Sequence, residues 1–272
     1  MARRTSITTT FTTNMPTDLQ QSYPLILALA AAVAAGLVGS FALMKRMALA
    51  GDVISHIALP GLGLAFLLGV NPLVGGAATL FLGTLIVWHL QKHTTLATET
   101  AIGVMFAASV ALGTIITPEA DLIDALFGGF GKLTTTGFLV GILATVVVIA
   151  FIIKFRDRLI IELFSPELAA ASGVNVARTD LWFLLIFALT VLLGLQFLGA
   201  LLMGALIIIP AATGRQLAKT LPAFLVISSL ASVLSVAAGF ALSARYDLPL
   251  GPTIVISAAA LFIVSLIKKS KA

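Results

Sequence analysis

Apolar runs long enough to cross a bilayer follow one another along almost the whole chain, with only short polar breaks between them. A hydrocarbon core of ~30 Å takes about 20 apolar residues at ~1.5 Å of helical rise each. Nine candidate spans can be drawn: 24–44, 47–69, 72–90, 100–116, 136–153, 180–196, 198–214, 222–243 and 252–267. Eight are also possible, because no charge divides the pair around Phe197. Asn71-Pro72, Thr117-Pro118, Leu221-Pro222 and the stretch 247–252 supply turn signals between several of them. The runs are continuous rather than alternating, which argues against a strand barrel.

Composition points the same way. Apolar residues make up 60% of the chain and charged ones 10%, with a mean hydropathy of +1.14. Globular domains carry about a quarter charged residues, so too few are present to solvate a surface. A soluble enzyme, a disordered chain and a nucleic-acid binder are excluded. An all-α polytopic membrane protein remains. The chain has no cysteine, which removes disulfides, thiolate metal sites and cysteine nucleophiles together.

Residues 1–22 read as a polar N-terminal tail without the apolar core of a cleavable signal peptide. Residues 23–268 read as one transmembrane domain with an inner loop at about 154–180, and 269–272 as a short C-terminal tail. Basic residues set the orientation. With the C-terminus in the cytoplasm, twelve of the sixteen, Lys45, Arg46, Lys92 and Arg215 among them, fall inside. Arg3, Arg4, Lys132 and Arg245 fall outside, and so does the N-terminus.

One acid stands inside a span. Counting helical rise from Arg46 puts Asp52 ~9 Å and His56 ~15 Å into the apolar core. Their i,i+4 spacing sets both on one helical face. A carboxylate there costs roughly 2.5–3.5 kcal/mol even on the mildest scale. Three readings recover that cost: a structural Asp52–His56 ion pair, a proton relay, or a pathway for a cation. Carboxylate plus imidazole is a common ligand mix for first-row divalent metals. Pro60 has no amide hydrogen, so the carbonyl of residue 56 loses a helical partner, and Ser55 adds a hydroxyl. One acid and one imidazole are too few for a site; two copies across a two-fold axis supply four ligands. His89 and His93, beside Lys92, read as residues at the membrane interface.

The inner loop contains Ser165-Pro-Glu-Leu-Ala-Ala-Ala-Ser-Gly173. Ser165 suits an N-cap, Pro166 the first helical position, and Glu167 the positive helix end. Ala169 and its neighbours propagate a helix that Gly173 can stop in a left-handed turn. A helix this short is marginal alone and must dock, on the protein's own spans or on a separate cytoplasmic subunit. Gly128-Gly-Phe-Gly-Lys132 resembles a phosphate loop only superficially: position 126 is Leu, where the pattern needs Gly, and position 133 is Leu, where it needs Ser or Thr. The chain is read as a transport subunit, not an enzyme, with any ATP-driven motor on another polypeptide.

The stretch from Arg46 to Gly61, with Gly51-Asp52, Ser55-His56 and Pro60-Gly61, resembles the signature of the zinc/manganese/iron permeases of bacterial metal-ion ABC importers. Glu99-Thr-Ala-Ile-Gly103, Phe164 to Val174 and Gly199 to Thr213 resemble further motifs of that family, in the same order, so the likeness covers about residues 24–268. It implies the type II ABC importer permease fold in a bacterial cell membrane. It also implies a second permease chain (most simply a homodimer), cytoplasmic ABC ATPases that bind the ATP, and an extracytoplasmic metal-binding protein. The transported metal cation would pass Asp52 and His56, with no permanently bound cofactor. Residues 165–173 would form the coupling helix on the ATPase, although family members often carry an acid where this chain has Ser165. A proton-coupled secondary carrier using the same pair as a relay is the alternative, and a purely structural pair in a scaffold protein a third.

Overall fold

The computed structural model describes residues 17–47, 50–93, 98–117 and 133–270, with 123, 126 and 127 between them. Readings placed on Arg3, Arg4 and residues 128–132 lie outside these. The helices are α1 (Thr17–Met44), α2 (Ala50–Ile57), α3 (Leu59–Leu68), α4 (Pro72–His93) and α5 (Thr98–Ile116). They continue with α6 (Thr135–Phe164), α7 (Pro166–Ala171), α8 (Val176–Leu217), α9 (Leu221–Tyr246) and α10 (Leu250–Ser270). Among the described residues there is no strand.

All nine expected spans overlap helix. Among the described residues, seven helical stretches are long and apolar enough to cross a membrane unaided, and 100–116 and 202–217 are shorter apolar helices. The two segments around Phe197 are joined in α8, whose backbone leaves helical geometry at Gly199 (φ 70°, ψ −178°). Space for a side chain at Gly194 is filled by Met203. Nine residues apart on a straight helix lie ~13 Å from one another, so the chain turns back at Gly199, where a positive φ favours glycine. Pro210 stays inside the helix.

The segment 47–69 is not one continuous helix. α1 ends at Met44, Arg46 takes a left-handed φ of 59°, and α2 opens only at Ala50. Helical counting from Arg46 therefore does not apply. Counted from Ala50, Asp52 and His56 lie ~3 Å and ~9 Å along α2. A second break falls at Ala58, two residues before Pro60, whose ring disfavours continuing the preceding turn. α1 begins at Thr17, so residues 17–22, expected in the polar tail, are helical.

The expected inner loop 154–180 is mostly helix. α6 runs on to Phe164 and α8 starts at Val176, leaving only Ser165 and 172–175 outside regular helix beside α7. Thirty residues rise ~45 Å, more than a ~30 Å core. Lys154, Arg156, Asp157 and Arg158 mark where α6 leaves the apolar layer.

The core lies where α1 and α8 meet. α1 packs on α6, α8 and α9; α8 also packs on α2, α4 and α10. Phe41, Phe183, Phe187 and Leu195 fill that contact. α6 turns Leu139, Leu143 and Val146 outward, the apolar face that a lipid-bathed helix needs.

Candidate functional site

α2 is eight residues long and carries Asp52 in its first turn and His56 in its last. The helix dipole favours an anion at the first position and a cation at the second. Asp52 is half-buried and His56 buried, 7% exposed. The Asp52 backbone lies close enough to Gly204 of α8 that a Cβ on that glycine would stand 2.5 Å from the Asp52 Cα.

His56 Nδ1 lies 2.8 Å from the backbone oxygen of Asp52, one turn back. A carbonyl only accepts, so Nδ1 carries the hydrogen and donates it. In the neutral ring Nε2 then holds the lone pair, and no hydrogen bond engages it among the described residues. The same holds for the Asp52 carboxylate: the ion pairs among the described residues are Lys45–Glu162, Lys45–Asp180 and Arg156–Asp157. The structural Asp52–His56 ion pair is therefore not formed. Phe106 of α5 meets the imidazole edge-on, with ring centroids 5.1 Å apart.

Ser55, fully buried, places Oγ 2.6 Å from the Asp52 carbonyl and 2.6 Å from that of Ala200. Ala200 follows the Gly199 reversal, so the turn in α8 brings a main-chain acceptor to the α2 face. Asp52, Ser55 and His56 thus share one neighbourhood. Pro60 lies beyond the Ala58 break, in the first turn of α3. Among the described residues no three His, Cys, Asp or Glu side chains gather into a metal site. The His89 and His93 rings lie 4.4 Å apart, tilted by 39°, near the end of α4, apart from these residues in sequence and on exposed positions.

Residues 165–173 form a second feature. Ser165 Oγ accepts from the Leu168 amide at 3.1 Å, Pro166 opens α7, and Gly173 adopts φ 79° just past its end. Ala169 is buried, while Glu167 is exposed and Phe164 and Leu168 expose 81% and 59% of their surface.

Sequence reasoning missed the cluster beneath this helix. Lys45 Nζ at the end of α1 donates to Glu162 of α6 at 2.5 Å and to Asp180 of α8 at 2.7 Å. Glu162 follows the charged run at the end of α6 and lies outside the apolar layer. Burial pushes its carboxyl up to about 7, helped by the neighbouring Asp180 and opposed by Lys45. Trp88, also unforeseen, donates Nε1–H to the Ala177 carbonyl at 3.0 Å and ties α4 to the start of α8. An acid inside Ile160-Ile-Glu-Leu-Phe164 was the available signal for Glu162.

A bundle of apolar helices long enough to cross a membrane, with a small exposed helix at one end, defines a polytopic membrane protein. The chain belongs to the ABC 3 transport family, whose model matches residues 21–269. It is 34% identical over 240 residues to the high-affinity zinc uptake system membrane protein ZnuB of Haemophilus influenzae, spanning 86% of this chain and 92% of that one. To the manganese import system permease protein ScaB of Streptococcus gordonii it is 31% identical, spanning 89% and 88%. Among solved structures, PsaBC from Streptococcus pneumoniae in complex with Fab superposes with a TM-score of 0.79 at 28% identity, covering 90% of each chain.

Proposed function

We propose that this chain is the permease subunit of an ATP-driven importer of divalent metal cations, zinc or manganese, with the ion passing Asp52 and His56. The observation that carries the reading is the hydrogen bond from His56 Nδ1 to the Asp52 carbonyl. It fixes the tautomer and leaves Nε2 as the metal-facing atom, the arrangement that second-shell bonds give to ligating histidines. The import of zinc and manganese named for the two relatives supports the cargo.

One acid and one imidazole hold an ion weakly, so two copies of the chain face each other and contribute a pair each. An extracytoplasmic metal-binding protein delivers the cation to the outer mouth. The side chains replace part of its water shell and release it again, which a closed four-ligand zinc site would resist. Ser55 fixes the Asp52 carbonyl and the reversal of α8 in register, and Pro60 keeps α2 short.

The C-terminus lies in the cytoplasm and the N-terminus outside, in keeping with the basic residues near the ends of α1, α4 and α8. α7, held by Ser165, Pro166, Ala169 and Gly173 with Glu167 exposed, docks on a cytoplasmic ATPase that binds ATP. Its exposed Leu168 forms the apolar contact. Lys45 relays the motion: it grips both stems of α7 through Glu162 and Asp180, and the chain beyond it leads within seven residues to Asp52.

Uptake of zinc and manganese into proteoliposomes holding permease and ATPase, with the matching binding protein outside, tests this. Uptake should require ATP inside and ignore collapse of a proton gradient. Flux driven by the gradient without ATP would establish a secondary carrier instead. No divalent flux under either condition would leave the pair a structural feature.

A further inference from the structure

A cavity of about 460 Å³ opens where α1, α6 and α8 end and α9 begins. Its wall is apolar, with Met44, Leu163 and Phe224 prominent, and Arg46, Arg215 and Lys219 are its charged residues. No acid lines it. All three cations are exposed, and none makes an ion pair among the described residues. The nearest acid in sequence to the α6 wall, Glu162, is committed to Lys45. Three uncompensated positive charges above a greasy floor ask for a ligand that is anionic at one end and apolar at the other.

We propose that this cavity binds the headgroup of an anionic phospholipid at the bilayer surface, with the phosphodiester among Arg46, Arg215 and Lys219 and the glycerol backbone against Met44, Leu163 and Phe224. The placement matches the physics of basic pockets between transmembrane helices at a bilayer surface. Thr220 and Leu221 also line the cavity, so α9 begins there and adds the positive end of its dipole. Arg46 is held in a left-handed turn between α1 and α2. A bound lipid would therefore steady the joint that carries Asp52. The inference rests on the proposed function only in taking this end of the bundle as the cytoplasmic membrane surface.

The test is binding of fluorescent phosphatidylglycerol and phosphatidylcholine of equal chain length to the purified permease–ATPase complex in detergent micelles, without metal or ATP. That readout stands or falls independently of transport. A basic residue near a membrane surface contributes about fivefold in binding. Wild type should prefer phosphatidylglycerol, and Arg46→Gln, Arg215→Gln and Lys219→Gln together should weaken it on the order of a hundredfold. A variant with Arg46→Lys and Arg215→Lys should stay within about fivefold of wild type, showing that charge rather than folding is lost. Equal binding of the two lipids, or phosphatidylglycerol undiminished in the neutral variant, would overturn the proposal. Displacement of the lipid by millimolar glycerol 3-phosphate would also overturn it, by making the ligand a soluble phosphate. Loss of the ATPase from the neutral variant with lipid binding intact would overturn it too, by making the surface a protein interface.

Discussion

His56 Nδ1 donates to the main-chain oxygen of Asp52, 2.8 Å away and one helical turn earlier. The residue that supplies the carboxylate thus also sets the imidazole's tautomer, through its backbone. Substituting the Asp52 side chain leaves that hydrogen bond in place. Asp52→Asn should therefore keep the ring oriented and remove only the charge, whereas His56→Ala removes the imidazole and its free Nε2. Each should lower metal uptake by more than the 10–100-fold typical of outer-shell changes, while the permease still assembles with its ATPase. Uptake rates and co-purification of the two subunits check both halves. Normal uptake by both variants would remove these residues from the pathway.

At Gly204, α8 comes close to the Asp52 backbone. A methyl group there meets backbone, which cannot rotate away. Overpacking of this kind costs about 1–3 kcal/mol, and here the displaced element is α2 itself. Gly204→Ala should reduce uptake markedly with a smaller loss of thermal stability. Comparison with an alanine at Gly103, where a side chain meets open space, controls for the substitution.

Ser55 has one hydroxyl hydrogen for two carbonyls, those of Asp52 and Ala200. Ser55→Ala leaves buried acceptors without it and should destabilise the protein by about 1 kcal/mol. A shift in the midpoint of thermal unfolding of the detergent-solubilised protein measures this. An unchanged midpoint would mean that the serine does not hold the reversal of α8 against α2.

Glu162 gives the pH dependence. Its carboxyl is raised from the ordinary 4.5 to about 7 by burial and by Asp180 against the pull of Lys45. Between those values the folded protein binds more protons than the unfolded chain. This group's contribution to stability is therefore full below the lower value and is lost as pH rises through about 7. Wild-type thermal stability should fall more steeply between pH 5 and 8 than that of Glu162→Gln, which stays neutral throughout. Parallel pH profiles would contradict the assignment. Lys45→Ala leaves Glu162 buried without its cation, and removing one member of a buried pair costs about 3–5 kcal/mol.

The exposed residues around α7 make a separate prediction. Phe164 and Leu168 carry little of the fold, since both are mostly exposed. Leu168→Asp should leave the isolated permease as stable as wild type but weaken ATPase association by about tenfold or more, measured by surface-immobilised binding. Unchanged association would move the docking surface elsewhere.

How much of this was legible depended on the range of the interaction. The spans were readable because crossing a bilayer is a property of single segments, and the 165–173 helix because its cap, proline and stop glycine act within nine residues. Asp52 and His56 stood out as polar groups in an apolar run. The reversal at Gly199 could not be located, because nothing local separates it from the other glycines in a chain with 23; the packing of Gly194 on Met203 selects it. The expectation of a continuous helix from Arg46 failed because Arg46 adopts a left-handed turn that no local residue demands. The cluster of Lys45, Glu162 and Asp180 was not legible, since the lysine's partners are 117 and 135 positions away.

X-ray absorption at the zinc or manganese edge of the assembled, metal-loaded transporter tests the central claim most directly. The account predicts imidazole scattering in the wild-type spectrum that disappears in His56→Ala while metal is still delivered by the binding protein. An identical imidazole signature in wild type and His56→Ala would show that the ion does not meet this histidine.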